Sequence, residues 1–550
     1  MREGSVAVDR ASARGVLRVP NLRHALVGWG LSVVSENAAL VALLVVAYEV
    51  GGATLVAVFV AIRAVPALVV GPVLIGRSDR GRRERWLVGV LATRTAMLAL
   101  AAACLVIDAR GPALVIGGMA TVLFTTHRPM NAALMPYLAH TPAQLTASNG
   151  VSAFFEGAGT LVGPALAGVL LVVGEPSAVL LAATLLLGAA TLAVALVRDI
   201  PASGSPAEPL TFRSAACDLG AGLDVLRRPS VVLVLVSAQT FARGVLLVAV
   251  VVLGVDVFGQ GEPGVGWLSS MLGVGGLVGS IVAVAVLTST RLARGFSTGV
   301  ALWGLPMLLL GIWTTPAVGF AAFAVIGFGN AFVDVGVFTL VARLVPPPLL
   351  GRAFAALEVV ITLSVTAGSW VAGLAIEQLG VEALLVGVGA LLVVLPLAYS
   401  GQTTRLDRQL EPAEHAETLR ECSILSTLPT VSIDYLASVG QEHTHADGDV
   451  VMHQGEPGVD FHVVVSGAAI ALIDGTPVGY LAEGDGFGEI ALLRDVPRTA
   501  TVVADGTLRT LSVHREDFLM FVVGHPASVT ALSDIASSRE RENARRLTDS

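Results

Sequence analysis

Long runs of apolar residues dominate the chain as far as residue 400. A helix that crosses a bilayer needs about 20 mostly apolar residues, because hydrocarbon offers no partner to an unpaired backbone group. Twelve stretches meet this requirement: 24–49, 53–75, 86–107, 112–136, 147–173, 177–197, 230–255, 264–288, 297–313, 315–342, 354–377 and 382–400. The pattern therefore predicts twelve transmembrane helices.

The last part of the chain has a different period. Its apolar runs are short, alternate with polar positions and are separated by glycine-containing turns; they lie at 450–452, 461–465, 468–473, 478–481, 501–503 and 508–513. Many short strands with regular turns are typical of a β-barrel or jelly roll. Helical patterns flank these strands at 417–440 and 515–547.

Both patterns predict one fold class: an all-α membrane protein of twelve transmembrane helices in two pseudo-symmetric halves of six, plus a C-terminal β-jelly-roll domain with flanking helices. The glycine pair Gly163 and Gly168 recurs as Gly368 and Gly373, with the same spacing in the second half. Transporters built from two such halves place their binding site between them. We expect these segments: an N-terminus 1–22, a first half 23–198, a central loop 199–229, a second half 230–400, a linker 401–417 and a C-terminal domain 418–550.

Composition and charge sharpen this division. Only 14% of the residues are charged, against about 25% in soluble proteins. The net charge of −8 combines 23 arginines and 19 acids in residues 1–404 with 11 arginines and 23 acids in residues 405–550. Because short arginine-rich loops stay cytoplasmic, their alternation predicts a plasma-membrane protein with both termini and the C-terminal domain in the cytoplasm.

Two segments carry a family resemblance. The loop Gly76–Arg85 reads GRSDRGRRER and resembles the loop between helices two and three of the major facilitator superfamily. The resemblance implies that four residues latch the cytoplasmic gate, and we call them the gate motif: Asp79, Gly81, Arg82 and Arg83. The segment Gly163–Gly168 is similar to the fifth-helix motif of proton-coupled exporters in that superfamily, with Ala167 where a glycine is usual.

Charged residues inside the predicted spans are the transport candidates, because each costs roughly 2.5–3.5 kcal/mol on insertion scales unless it is paired or hydrated. They are Glu36, Arg63, Arg128, Glu156, Arg243, Asp334 and Glu358. His127, which can be neutral or charged, also lies inside a predicted span. Two interpretations stay open: a transport role, or structural ion pairs between helices. Our choice for the proton carrier is Glu36 or Glu156, with Arg128 as counter-charge. Arg94, near the predicted cytoplasmic end of its span, is expected to extend its side chain to the interface.

The most informative soluble segment is 487–500, FGEIALLRDVPRTA, which we call the cassette. Gly488 allows the backbone to approach a ligand, and the free amides of the short helix that follows favour an anion. The Arg498 guanidinium suits a phosphate, whereas the Glu489 carboxylate suits a sugar hydroxyl. An anion and a hydroxyl bound by one short segment describe a nucleotide monophosphate.

The cassette closely resembles the phosphate-binding cassette of the cyclic nucleotide-binding domain family. The resemblance implies that Arg498 holds the cyclic phosphate and Glu489 the ribose 2′-hydroxyl, while amides near Ala491 and Thr499 complete the cradle. The nucleotide-binding set is Gly488, Glu489, Ile490, Ala491, Arg498 and Thr499. We favour cAMP over cGMP. His462 replaces the aromatic residue that the family usually has at its position.

The resulting expectation is a secondary active transporter, a proton-coupled exporter of small organic molecules, regulated by cyclic nucleotide. Its expected partners are the lipid bilayer, the nucleotide, a small-molecule substrate and protons, with no nucleic acid. Two alternatives stay open: a non-transporting membrane-anchored receptor, and a lipid-moving member of the same superfamily. No enzymatic activity, cofactor or metal is expected; His443, His445 and His453 are interpreted as surface histidines.

Overall fold

The computed structural model describes residues 13–78, 83–138, 142–197, 212–227, 230–287, 291–345, 349–410, 415–425, 428 and 430–523. The chain forms two compact units, Met1–Asp407 and Arg408–Ser550. We call them the helical unit and the C-terminal unit, and we treat each by itself.

The described part of the helical unit contains only helices: α1 Ala13–Arg18, α2 Pro20–Ser78, α3 Arg83–Val106, α4 Arg110–Leu138, α5 Pro142–Val173, α6 Pro176–Ala195, α7 Phe212–Arg227, α8 Ser230–Val252, α9 Glu262–Val286, α10 Leu292–Ile312, α11 Pro316–Leu344, α12 Leu350–Ala398 and α13 Ser400–Gln409. A five-residue π-helix, Leu253–Val257, continues α8. Within the described ranges, nine segments are long and apolar enough to cross a membrane. The mainly helical, apolar character is thereby confirmed, while the count of twelve spans stays a prediction.

Glycines divide the two longest helices. In α2 the backbone leaves helical geometry at Gly51 and Gly52, where Gly52 has φ +60°. In α12 it does so at Gly380, with φ +82°. A positive φ costs glycine little and other residues much more. Both breaks fall in the intervals between predicted spans, so each long helix has two apolar parts.

The glycine pair of α5 packs this helix against both halves of the unit. A Cβ at Gly163 would lie 2.6 Å from Asn37 Cβ and 2.7 Å from the Val34 carbonyl oxygen of α2. A Cβ at Gly168 would lie 3.3 Å from the Trp267 ring of α9. Small residues at such positions let helix backbones approach closely.

The equivalent pair of α12 makes the pseudo-symmetric contacts. A Cβ at Gly368 would overlap the carbonyl of Phe241 on α8, and one at Gly373 would lie 2.6 Å from Ala57 Cβ on the second part of α2. In each half, the first glycine thus contacts the first predicted span of its own half. The second glycine contacts the second predicted span of the other half.

The C-terminal unit combines short helices with one antiparallel sheet. Its elements are α14 Ala416–Glu421, α15 Thr430–Val439, β1 Gln441–His445, β2 Val450–Met452, β3 Asp460–Ile473, β4 Thr476–Leu481, β5 Gly486–Phe487, α16 Glu489–Arg494, β6 Thr501–His514 and α17 Arg515–Val523. The sheet order is β1-β6-β3-β4, with β2 paired to β6 and β5 to β3. This confirms a C-terminal antiparallel sheet domain; its closure into a jelly roll stays a prediction.

Two details of the sheet differ from the strand pattern in the sequence. The runs 461–465 and 468–473 form one strand, β3, whose register shifts on both sides of Ser466. The runs 501–503 and 508–513 likewise lie in one strand, β6. Apolar side chains cover both faces of this pair: Phe461, Val463 and Leu511 belong to one core cluster, and Val464 and Val502 belong to another.

Candidate functional site

The cassette begins at a left-handed glycine. Gly488 has φ +87° and caps α16, which starts at Glu489. A Cβ there would overlap Arg498 Nη1, so a larger residue would displace the guanidinium. The first amides of a helix have no intrahelical partner, and the buried Ile490 and Ala491 lie in this first turn.

Backbone carbonyls hold the Arg498 side chain in place. Nη1 donates to the Gly488 carbonyl at 2.9 Å, and Nη2 donates to the Asp460 carbonyl at 2.6 Å. The Arg498 main chain also bonds to the segment between β2 and β3, because its N–H donates to the Glu456 carbonyl at 2.8 Å. The guanidinium is 5% exposed. Its orientation is therefore determined before any ligand enters.

The cassette holds two buried side chains of opposite charge, Glu489 and Arg498. Glu489 is 2% exposed at the start of α16. Burial lowers the pKa of Arg498, while the carboxylates of Asp460, Glu489 and Glu456 raise it. A buried guanidinium beside a buried carboxylate presents a cation for a phosphate and an acceptor for a hydroxyl. Gly488, Glu489 and Arg498 meet here, and the exposed Thr499 follows directly in the chain.

Two residues of this site carry no signal in the sequence pattern. Asp460 acts through its main-chain carbonyl, which every residue type has. Gly458 acts through its missing side chain, because a Cβ there would lie 2.7 Å from Ala491 Cβ. Its closeness to α16 depends on the folding of β3 against the cassette, which no local pattern reveals.

The sheet face beside the cassette is polar. His462 on β3 stacks on Phe487 with 5.1 Å between ring centroids and 14° between planes. Burial, with a smaller contribution from the charge of Arg498, lowers the pKa of His462 to about 4. His443 and His445 on β1 form hydrogen bonds with Ser512 and Thr510, both at 3.0 Å. His453 lies exposed outside the strands.

A second candidate site is the buried charge cluster of Ser32, Glu36, Arg94 and His127, which joins α2, α3 and α4. Arg94 Nη2 donates to Glu36 Oε2 at 2.7 Å, Nη1 donates to Ser32 Oγ at 3.1 Å, and Nε donates to the Ala120 carbonyl at 3.0 Å. Ser32 Oγ also contacts His127 Nδ1 at 2.9 Å. Arg94 is 0% exposed. The expectation that it extends to an interface is wrong, because three oxygens hold it inside the bundle.

Arg63 adds a second cation to this cluster. Its Nη2 lies 3.5 Å from Glu36 Oε1, and its guanidinium lies 5.7 Å from the Phe59 ring centre. Glu36 therefore contacts two guanidinium groups. Of the seven candidate transport residues, Glu36 and Arg63 are brought into contact.

The other transport candidates lie elsewhere in the helical unit. Asp334 on α11 is exposed and accepts a hydrogen bond from Asn330 Nδ2 at 2.7 Å. Glu156 is half-buried on α5, whereas Arg243 on α8 and Glu358 on α12 are exposed. Arg128 belongs to α4, but its side chain is outside the described part of the chain.

The gate motif cannot be placed in the same way. Asp79, Gly81 and Arg82 lie outside the described residues, and for Arg83 the structure describes only its place at the start of α3.

Near the glycine break of α2, two side-chain hydrogen bonds connect the two predicted halves. Tyr48 donates to Asp256, and Thr54 donates to Glu377.

A carboxylate anchors the last helix of the helical unit. Asp407 on α13 accepts from the backbone amides of Ala293 and Arg294, at 2.6 and 3.2 Å, and from Arg294 Nε at 2.8 Å. Asp407 is 1% exposed. These amides belong to the first turn of α10, so α13 is attached to that helix where the C-terminal unit begins.

Comparison with known families finds two families that follow one another along the chain. The model of the Major Facilitator Superfamily matches residues 232–440, and that of the cyclic nucleotide-binding domain matches residues 442–525. The predicted combination of the two families in one chain is thereby confirmed. Neither family is catalytic.

Similar curated proteins resemble only a small part of the chain. A cGMP-dependent protein kinase of Toxoplasma gondii is 39% identical over 115 residues, which cover 20% of this chain and 12% of that protein. A cAMP-dependent protein kinase regulatory subunit of Hypocrea atroviridis is 35% identical over 100 residues, which cover 18% and 22%. The matches thus span less than a quarter of either relative.

Similar solved structures include the regulatory domain of Toxoplasma gondii PKA with cAMP, with 24% sequence identity and a TM-score of 0.22. The match covers 26% of this chain and 56% of that structure. This TM-score is too low to support a functional argument.

The pKa of His462 predicts an acid-sensitive C-terminal unit. An unfolded histidine has a pKa near 6.5, so between about pH 6.5 and 4 the unfolded state binds the extra proton. Stability is therefore fully present above pH 6.5 and is lost as the pH falls toward 4, by roughly 2–3 kcal/mol. We expect urea unfolding of residues 408–550 to show this loss, and His462→Phe to remove it. His453→Gln is the control and should behave as wild type; an unchanged pH dependence in His462→Phe would contradict the prediction.

Proposed function

We propose that this chain is a secondary transporter whose cytoplasmic C-terminal unit binds a cyclic nucleotide and thereby regulates transport across the plasma membrane. The observation that carries the proposal is the preformed Arg498–Glu489 arrangement at the start of α16. Arg498 is held by two backbone carbonyls and Glu489 is buried beside it. Both residues lie inside the match to the cyclic nucleotide-binding domain, and the Major Facilitator Superfamily match precedes it.

The cassette chemistry suits a cyclic nucleotide. The Arg498 guanidinium and the free amides of α16 bind the phosphate, and the Glu489 carboxylate accepts from the ribose 2′-hydroxyl. Residues 405–550 hold 11 arginines against 23 acids, so the net charge of this segment repels an anion. Affinity must therefore come from these short-range contacts. We propose cAMP as the preferred ligand over cGMP.

The helical unit supports transport by alternating access. Its halves meet through close glycine contacts between α5 and α9 and between α2 and α12, and through the Tyr48–Asp256 and Thr54–Glu377 hydrogen bonds. These hydrogen bonds lie at the ends that we assign to the outer face. The described arrangement joins the two halves at that face. We propose export as the direction of transport because Gly163–Gly168 is similar to the fifth-helix motif of proton-coupled exporters.

Glu156 is the better of the two proton-carrier candidates. Glu36 contacts Arg94 and Arg63, so removing its charge would leave the buried Arg94 and the half-buried Arg63 without their carboxylate. Glu156 precedes Gly157, where a Cβ would lie 2.8 Å from Leu277 of α9. Glu156 is half-buried and lies one residue from this contact between the two halves. We propose that protonation of Glu156 changes the balance between open and closed states, while Glu36 stabilises the first half.

Regulation requires a connection from the nucleotide site to the helices. We propose that α13 provides it, because Asp407 attaches this helix to the first turn of α10 at the boundary of the C-terminal unit. A ligand shifts a conformational equilibrium only by its different affinity for the two states. Strain transmitted through α13 would supply that difference.

Removing the Arg498 guanidinium should abolish nucleotide binding. We expect Arg498→Ala to weaken cAMP binding to the purified full chain at least 100-fold, since a buried charge-assisted phosphate contact is lost. Isothermal titration with cAMP and cGMP measures this and also ranks the two ligands. Arg509→Ala, which removes an exposed arginine paired with Glu442, should bind like wild type. Absence of binding heat with either nucleotide in the wild-type chain would contradict the proposal.

Neutralising Glu156 should remove the pH response of the helical unit. Spin labels at Phe154 of α5 and Ile281 of α9, both exposed, report the separation of the two halves in nanodiscs. We expect the wild-type distance distribution to change between pH 8 and 5.5. Glu156→Gln should keep the low-pH distribution at both values, because glutamine mimics the protonated acid.

Glu358→Gln, at an exposed carboxylate of α12, is the matched control and should keep the pH-dependent change. A normal pH response in Glu156→Gln would reject this residue as the proton carrier. A wild-type distribution that responds to neither pH nor cAMP would favour the non-transporting receptor.

Loss of the Asp407 carboxylate should uncouple the nucleotide from the helices. With the same spin labels, we expect cAMP to shift the wild-type distances and to leave those of Asp407→Asn unchanged. The variant loses charge-assisted hydrogen bonds worth about 1.5–3 kcal/mol each. Its cAMP affinity by titration should stay within about threefold of wild type. A wild-type cAMP response in Asp407→Asn would show that the connection runs elsewhere.

A further inference from the structure

An apolar pocket lies on the side of the first half, between the second part of α2, α3 and α4. Its volume is about 400 Å³, within the range of roughly 300–1,000 Å³ of small-molecule sites. Phe59, Met97 and Met119 contribute to its walls. Among the described residues that line it, Arg63 is the only charged one. The pocket is thus an apolar space with one cation in its wall.

Arg63 brings more positive charge than its surroundings neutralise. Its contact with Glu36 is long, 3.5 Å, and Glu36 already accepts from Arg94 Nη2 at 2.7 Å. Arg63 Nε is buried without a hydrogen-bond partner among the described residues. Two guanidinium groups therefore share one carboxylate. An uncompensated charge at this depth is costly, and an anion beside Arg63 would neutralise it.

The rim of the pocket is apolar and open to the surroundings of the helix bundle. Ile62, Val115 and Met119 are 62%, 64% and 54% exposed. In a bilayer these side chains face acyl chains, so a hydrated solute would meet an unfavourable entrance. A ligand with a long hydrocarbon chain would enter easily.

From these three features we infer that the pocket binds a single-chain anionic amphiphile, of the fatty-acid type, which enters from the bilayer. Its chain lies against Phe59, Met97 and Met119, and its head group pairs with Arg63. This inference rests on the proposed membrane location and names an amphiphilic ligand class for the helical unit. It is independent of the nucleotide site.

The test measures binding of dansyl-labelled undecanoic acid to the purified full chain in phosphatidylcholine nanodiscs, by fluorescence titration. We expect saturable binding, at least tenfold weaker for the uncharged methyl ester of the same probe. Arg63→Gln should weaken binding of the acid at least tenfold, whereas Arg63→Lys should retain it. Met119→Trp fills the pocket without touching the charge and should also weaken binding. Leu185→Trp, at an exposed apolar position of α6, is the matched control and should bind normally.

Three results would overturn the inference: equal affinity for acid and ester, normal binding by both Arg63→Gln and Met119→Trp, or an equal loss in Leu185→Trp. Displacement of the probe by phosphatidylglycerol in the nanodisc would assign the pocket to a bilayer lipid instead of a free acid. Thermal unfolding of the same samples, followed by circular dichroism, checks that the helical unit of each variant is folded. If the wild-type chain does not bind the probe but binds cAMP and responds to pH, the pocket inference is rejected while the proposed function stands.

Discussion

A charged side chain taken out of water costs several kcal/mol unless partners lie within hydrogen-bonding distance, and this cost shapes both units of the chain. In the helical unit, Arg94 is fully buried and donates to Glu36, Ser32 and the Ala120 carbonyl. These partners lie on two helices, α2 and α4, while Arg94 itself lies on α3. The bonds that satisfy one guanidinium therefore fasten α2, α3 and α4 to each other.

The same requirement determines the nucleotide site. The Gly488 carbonyl inside the cassette and the Asp460 carbonyl of β3 accept the N–H groups of the buried Arg498, and the missing side chains of Gly458 and Gly488 leave it room. In each unit one arginine is fully engaged by the fold. In the C-terminal unit, Arg498 also adjoins the amides at the start of α16. In the helical unit, a second arginine, Arg63, adjoins the apolar pocket.

Close backbone packing is the second condition on which function depends. The paired glycines of α5 and α12 leave no room for a side chain at their helix crossings. Such contacts bury apolar surface without specific polar bonds, which suits the alternating access that we propose. Asp407 is different in kind, because a carboxylate held by two backbone amides and an arginine links α13 to α10 in one geometry.

The sequence alone was sufficient for features that depend on local composition. Apolar length predicts the membrane helices, turn glycines predict a sheet domain, and the spacing of Gly488, Glu489 and Arg498 identifies the cassette. β1 was missed because its residues, QEHTH, lack apolar alternation; Ser512 and Thr510 on β6 supply partners that no local pattern reveals. The break predicted inside β3 is a shift of register at Ser466 instead of a chain reversal.

Only the tertiary structure decided which charges meet. Position near a predicted helix end placed Arg94 at the interface, yet its partners lie 26 to 62 residues away and hold it inside. The sequence does not show how far apart charges on separate helices lie. The contacts of Glu36 with two guanidinium groups are the reason that we propose different roles for Glu36 and Glu156. The sequence determined which chemical groups the chain carries and the elements that carry them. The packing of those elements determined which charges are neutralised, which is the physical basis for assigning each a role.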